Sequence, residues 1–198
     1  MRTSRLEAFS DGVLAIVITV MVLELHVPHG SRWADLWGSG SGLLTYLLSF
    51  VYIGIYWSNH HHLFQLVRRV TGEVLWANLH LLFWLSLVPF TTSWVDDERF
   101  AAVPTVVYGI DLLAAAVAYY LLQITTMRAE GERSLLHQAL GRDLKGKVSP
   151  VIYLVGILLG TLVAPWLAVV CYVVVAVLWL VPDRRLERFI EQNRVEPA

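Results

Sequence analysis

"RLEAFSDGVLAIVITVMVLEL", residues 5–25, is the stretch whose reading decides the fold. An uncharged apolar run from Gly12 to Leu23 follows Asp11 and stops at Glu24. A secretory leader would carry its apolar residues straight after the arginines and then a small-residue cleavage site. Instead Asp11 intrudes, and the chain continues as "HVPHGSRW". The stretch reads as a membrane span with Ser10 and Asp11 at its leading end.

Composition extends that reading to the whole chain. Of 198 residues, 57% are hydrophobic and 16% charged, against about 25% charged in ordinary soluble domains. The net charge of −1 and the lack of a basic block give no footing for nucleic acid. Cys171 is the single cysteine, so no intramolecular disulfide is possible. Residues 1–198 are expected to form one multi-span unit with no soluble domain.

A hydrocarbon span takes about 20 mainly apolar residues. Six such stretches follow one another, at about 8–25, 42–66, 74–94, 102–123, 148–164 and 166–182. Only Pro165 separates the last two, which predicts a tight helical hairpin. No stretch alternates with period two, and lipid tolerates no open sheet edge, so the expected fold is an all-α integral membrane protein. The "GSGSG" of 38–42 reads as a flexible lead into the second span. Pro89, Pro104 and Pro150 are expected near span ends. No second copy of "FSDG" marks an internal duplication.

Positive charge sets the orientation. Six spans with both termini cytoplasmic put every lysine and arginine except Arg32 and Arg99 on the inner side. A multi-pass protein of a bacterial inner or plasma membrane is expected.

The polar residues then acquire a depth. Ser10 and Asp11 on the first span, Asn59 and His60–His62 on the second, and Asn78 and His80 on the third all fall at one cytoplasmic level. Intramembrane polar groups face the bundle interior and one another, so these read as interhelical glue that also anchors the first span. Adjacent histidines point in different directions on a helix, which disfavours a metal site within the triplet. Further along the first span, Gly12, Ile16, Thr19 and Leu23 share one helical stripe, with Val20 at its edge. Asp11 falls on another face with Ala15, Ile18 and Val22. Spacing alone is better explained by plain helix packing.

The motif Arg5-x-x-x-Phe9-Ser10-Asp11-Gly12, running into "AIVITVMVLEL", resembles the signature of the transmembrane-protein-175 family of potassium channels, bacterial single-repeat branch. "YWSNHHHLF" at 56–64 and "NLHLLFWLSLVPF" at 78–90 resemble that family's second and third spans. The likeness carries specific motifs over about the first 95 residues, and only hydropathy beyond them. Animal members carry two six-span repeats per chain; this sequence has one. The resemblance implies a homotetramer in membrane lipid, with the first span of each subunit lining a central pore for potassium ions. It implies a hydrophobic constriction at Ile16 with further apolar layers at Val20 and Leu23, and a polar selectivity ring at Thr19. It also implies a structural motif of Arg5, Phe9, Ser10, Asp11 and Gly12, held by a polar anchor of Trp57, His60, His61, Asn78 and His80.

The chemistry is compatible with passive conduction and needs no enzyme activity, cofactor or bound metal. There is no "TVGYG" loop, so a carbonyl filter is not expected. Two other readings stay open at this point. A secondary transporter would carry repeats and broken helices, and a proton-conducting protein would use the histidines or Asp111, an isolated carboxylate inside the fourth span.

Overall fold

The computed structural model describes residues 3–38, 40–131 and 144–180. Its helices are α1 (Thr3–Leu23), α2 (Trp33–Gly38), α3 (Gly40–Gln65), α4 (Gly72–Asp97), α5 (Ala102–Glu130), α6 (Leu144–Leu162) and α7 (Pro165–Leu180). No strand occurs among the described residues. Five helices, α1 and α3 to α6, are long and apolar enough to cross a membrane, and α7 is a shorter apolar helix over its described part. The expected end of the last span at 182 lies outside the described residues. So do Arg2, Arg133, Arg142, Arg184, Arg185, Arg188 and Arg194, which carry much of the orientation argument.

Three local expectations are corrected. The glycine–serine stretch is no flexible lead: Gly38 closes the short helix α2, and Gly40, Ser41 and Gly42 are already helical. They are held from across the bundle, because Ser41 Oγ donates to Asp96 Oδ1 at 3.0 Å. The Asp96 carboxylate also fills the space where a side chain at Gly42 would begin, so a negative charge meets the first turn of α3, where the helix dipole favours it. Pro89, expected near a span end, stands well inside α4, which runs on to Asp97. Pro150 is likewise inside α6. A proline ring removes one ladder bond wherever it sits inside a helix.

The helix ends follow local chemistry rather than hydropathy. Thr71 caps α4 by accepting from the Val74 amide at 3.3 Å. Pro165 opens α7 where a missing N–H costs nothing. With 29 residues, α5 is about 43 Å long at 1.5 Å per residue, well beyond a hydrocarbon core of about 30 Å. Its projecting end is put to use: Glu130 Oε1 accepts from the backbone amides of Arg68 and Arg69, at 2.7 and 2.6 Å, and so ties down the turn between α3 and α4.

Two apolar clusters build the core. One joins α1, α3, α4 and α5 through residues such as Leu14, Val17, Ile53, Leu81, Leu85 and Leu122. The other joins α3, the far end of α4, α5, α6 and α7 around Tyr52, Tyr108, Tyr153 and Tyr172. The phenols are satisfied internally, as backbone and side-chain polar groups in lipid must be. Tyr52 donates to the Tyr172 carbonyl at 2.5 Å, and Tyr172 donates to the Thr105 carbonyl at 3.3 Å. Helix α5 belongs to both clusters. Helix α1 belongs to only one, packing on α3 and α4 at the edge of the bundle.

Candidate functional site on the first helix

Helix α1 divides into a buried face and an open one. Leu6, Ser10, Leu14, Val17 and Met21 are buried, at steps of four, four, three and four residues, which is a single helical stripe. Ser10 is the polar member, with no exposed surface. Its hydroxyl donates to the Leu6 carbonyl at 3.0 Å and accepts from Asn78 Nδ2 on α4, also at 3.0 Å. Asn78 Oδ1 lies 2.8 Å from His60 Nε2 on α3. Because the amide nitrogen is committed to Ser10, the oxygen is left to accept, so His60 carries its proton on Nε2. The His60 ring rests on Phe64, with centroids 4.5 Å apart. Three helices are thus joined by one buried chain of hydrogen bonds, which lipid makes costly to break.

A second, exposed set of contacts lies beside it. Trp57 Nε1 donates to Asp11 Oδ1 at 3.0 Å. His61 stacks on Trp57, with centroids 6.5 Å apart and planes 17° apart. Its Nε2 is 2.7 Å from Gln65 Nε2, and its Nδ1 is 3.7 Å from Glu7 Oε1. With Gln65 donating to Nε2, the neutral His61 ring carries its hydrogen on Nδ1, toward Glu7.

The histidine triplet therefore splits by direction. His60 faces the bundle, His61 faces α1 from outside, and the His62 ring lies 5.9 Å from that of His61. His80 does not join the group on α1: it is exposed and accepts from Trp84 Nε1 on its own helix at 3.0 Å. Asn59 also stays apart, donating to the Ile55 carbonyl. Glu7 and Gln65, four residues from Asp11 and His61, are partners that sequence reading passed over. Their i,i+4 spacing was the available signal. Of the motif residues, Arg5, Phe9 and Gly12 are exposed and show no side-chain bond among those described.

The remaining face of α1 is uncovered. Ile16 is 63% exposed and Leu23 80%, and Gly12, Thr19 and Val20 are exposed with them. Thr19 Oγ1 donates to the Ile16 carbonyl at 2.8 Å. Its hydrogen is spent inside the helix, so its lone pairs point outward. Beside this face runs an open groove between α1 and α4, bordered by Ile16, Val20 and Glu24 on one wall and Ser86, Phe90, Ser93 and Asp97 on the other. Among the described residues no three histidine, cysteine, aspartate or glutamate side chains are placed to hold a metal ion.

A family model described as the endosomal/lysosomal potassium channel TMEM175 matches residues 5–89, the stretch that holds α1 and its partners on α3 and α4. A potassium channel of Chryseobacterium sp. (strain P1-3) is 50% identical over 193 residues, covering 98% of this chain and all of that protein. The chain belongs to the TMEM175 family. A potassium channel of Chamaesiphon minutus is 34% identical over 187 residues, 86% of this chain and 90% of its own. The crystal structure of a lysosomal potassium-selective channel TMEM175 homologue from the same organism superposes with a TM-score of 0.76 at 33% identity, covering 90% of this chain and 96% of that one. The protein is accordingly a multi-pass membrane protein of a family of passive channels, not of enzymes.

Proposed function

We propose that the protein is a potassium channel, a homotetramer in the cell membrane with α1 of each subunit lining a central pore. The observation that carries this reading is the asymmetry of α1. One face is locked to α3 and α4 through Ser10, Asn78 and His60, while the stripe through Ile16, Thr19 and Leu23 is left exposed by its own subunit. One such stripe lines only one side of a channel, so closure requires copies related by a rotation axis. The names of the relatives and the coverage of the whole chain support potassium as the permeant ion.

On this reading four Ile16 side chains form a constriction that gates by excluding water, with Val20 and Leu23 as further apolar layers. Thr19, about 4.5 Å along the axis at 1.5 Å per residue, offers four acceptor oxygens just beyond it. Neutral oxygens replace part of the shell of a weakly hydrated cation without trapping it. Glu24 at the mouth concentrates cations. Arg5, Phe9, Ser10, Asp11 and Gly12 form the supporting end of the pore helix, held by Trp57, His60, His61 and Asn78; His80 has no part in it. Purified protein in liposomes, driven by a potential alone, tests the reading. Steady potassium flux without a coupled gradient is expected, and flux that requires a second ion gradient overturns it.

A further inference from the structure

Asp111 is the one described side chain with a buried polar atom left unpartnered. It is 3% exposed, in the midst of α5. Thr91 Oγ1 on α4 donates to its Oδ2 at 3.1 Å, and among the described residues none donates to Oδ1. No described ion pair involves it. The titratable groups that face it are phenols, Tyr56 from α3 and Tyr108 from its own helix. From α7, Tyr172 meets Tyr108 edge-on. From α4 its described hydrogen-bond partner is Thr91. An ionised carboxylate with one neutral donor and no cation is among the most costly groups to bury, and such a group neutralises instead.

We propose that Asp111 is a proton-binding site inside each subunit, off the pore. The carboxyl takes one proton from water on Oδ1, becoming a neutral acid, while its other oxygen keeps the bond from Thr91. Tyr56 also lines a small, partly open cavity of about 30 Å³ with Asn59, Gln123 and Ser149, with room and polar partners for a water molecule on the α3 side of the carboxyl.

The site is placed to report its occupancy to α1. Thr91 lies two residues after Pro89, where α4 has lost a ladder bond, and its hydroxyl is shared between Asp111 and the Val88 carbonyl at 3.2 Å. Pro89, Phe90 and Ser93 of that segment form the wall of the groove beside Ile16 and Val20. Loss of the proton places a bare charge at the proline break and draws water to it, loosening the wall that faces α1 across the groove. This consequence for conduction rests on the channel reading; the proton site does not.

Two measurements separate them. Infrared spectra of the protein in lipid at neutral pH are expected to show the carbonyl band of a protonated carboxylic acid. Asp111→Asn removes it, and Thr91→Val shifts it upward by deleting its hydrogen bond. Absence of the band, or its survival in Asp111→Asn, overturns the site. In liposomes, the ratio of potassium flux at alkaline pH to that at neutral pH is expected to change severalfold in the wild type and to stay flat in Asp111→Asn. The same ratio in both proteins overturns the coupling to α1 while leaving the infrared result to stand or fall alone.

Discussion

Trp57 holds Asp11 through a single indole hydrogen bond of 3.0 Å that lies on the exposed side of the bundle, one residue from a Ser10 that is wholly buried. Adjacent residues of α1 thus serve two different helix contacts. Ser10 fixes α1 to α4, and Asp11 fixes it to α3. Asp11→Asn keeps the shape and an acceptor oxygen but loses the charge that strengthens the bond, since bonds to ionised acceptors are roughly twice as strong as neutral ones. The expected outcome is weaker assembly or lower flux with unchanged ion preference. Native mass spectrometry and reversal potentials in mixed potassium and sodium check it; normal tetramers with altered preference would put Asp11 in the conduction path.

Ser10→Ala strikes the buried chain. It leaves the Asn78 amide with no acceptor and should cost about 1–3 kcal/mol, the penalty for an unsatisfied buried group. Asn78→Leu strands Ser10 and His60 together and should cost more. Thermal unfolding in mild detergent measures both. Equal stability of Ser10→Ala and wild type would show that Asn78 finds another partner at no cost.

Ile16→Asn and Thr19→Val separate a constriction from a selective ring. The first would make the proposed narrow point wettable, and conductance should rise. The second is nearly isosteric but deletes the hydroxyl, so potassium over sodium preference should fall with assembly intact. Paired bilayer recordings distinguish them. If neither variant changes conductance or reversal potential, the open stripe of α1 does not face the ions.

Gly109→Ala tests the α5–α7 contact. A side chain at Gly109 would begin inside the Tyr172 ring and hydroxyl, and overpacking of this kind costs about 1–3 kcal/mol. Gly54→Ala on α3 meets nothing within 4 Å and serves as the control. The midpoint of thermal unfolding should fall for the first and hold for the second.

The helices were readable from the sequence because apolar length is itself the requirement that lipid imposes. Their ends were not, since hydropathy marks the hydrocarbon and not the helix. Glu130 lies seven residues past the expected end of its span yet is still helical. The six-residue α2 is too short to announce itself by period. Depth along the chain put Ser10, His60, Asn78 and His80 on one level, but which of them meet depends on rotation. Asn78 and His80 are two residues apart, about 200° around a helix with 3.6 residues per turn, so a neighbour that receives one cannot receive the other. The Thr91–Asp111 pair joins different helices across the α4–α5 turn, and no local pattern pointed to it.

The attachment of α1 is uneven along its length. Among the described residues, its polar side-chain bonds to the rest of the subunit are confined to the end that holds Thr3, Ser10 and Asp11, whereas toward the far end apolar contacts at Val17, Ile18 and Met21 hold it. Mechanically this is a lever with its fulcrum at Ser10. Ile16 sits about 9 Å and Leu23 about 20 Å from that fulcrum at 1.5 Å per residue. Any tilt of the helix therefore displaces Leu23 about twice as far as Ile16, and in the proposed tetramer a ring of such levers would widen as a cone, opening first and furthest at the Leu23 end while Gly12 scarcely moves.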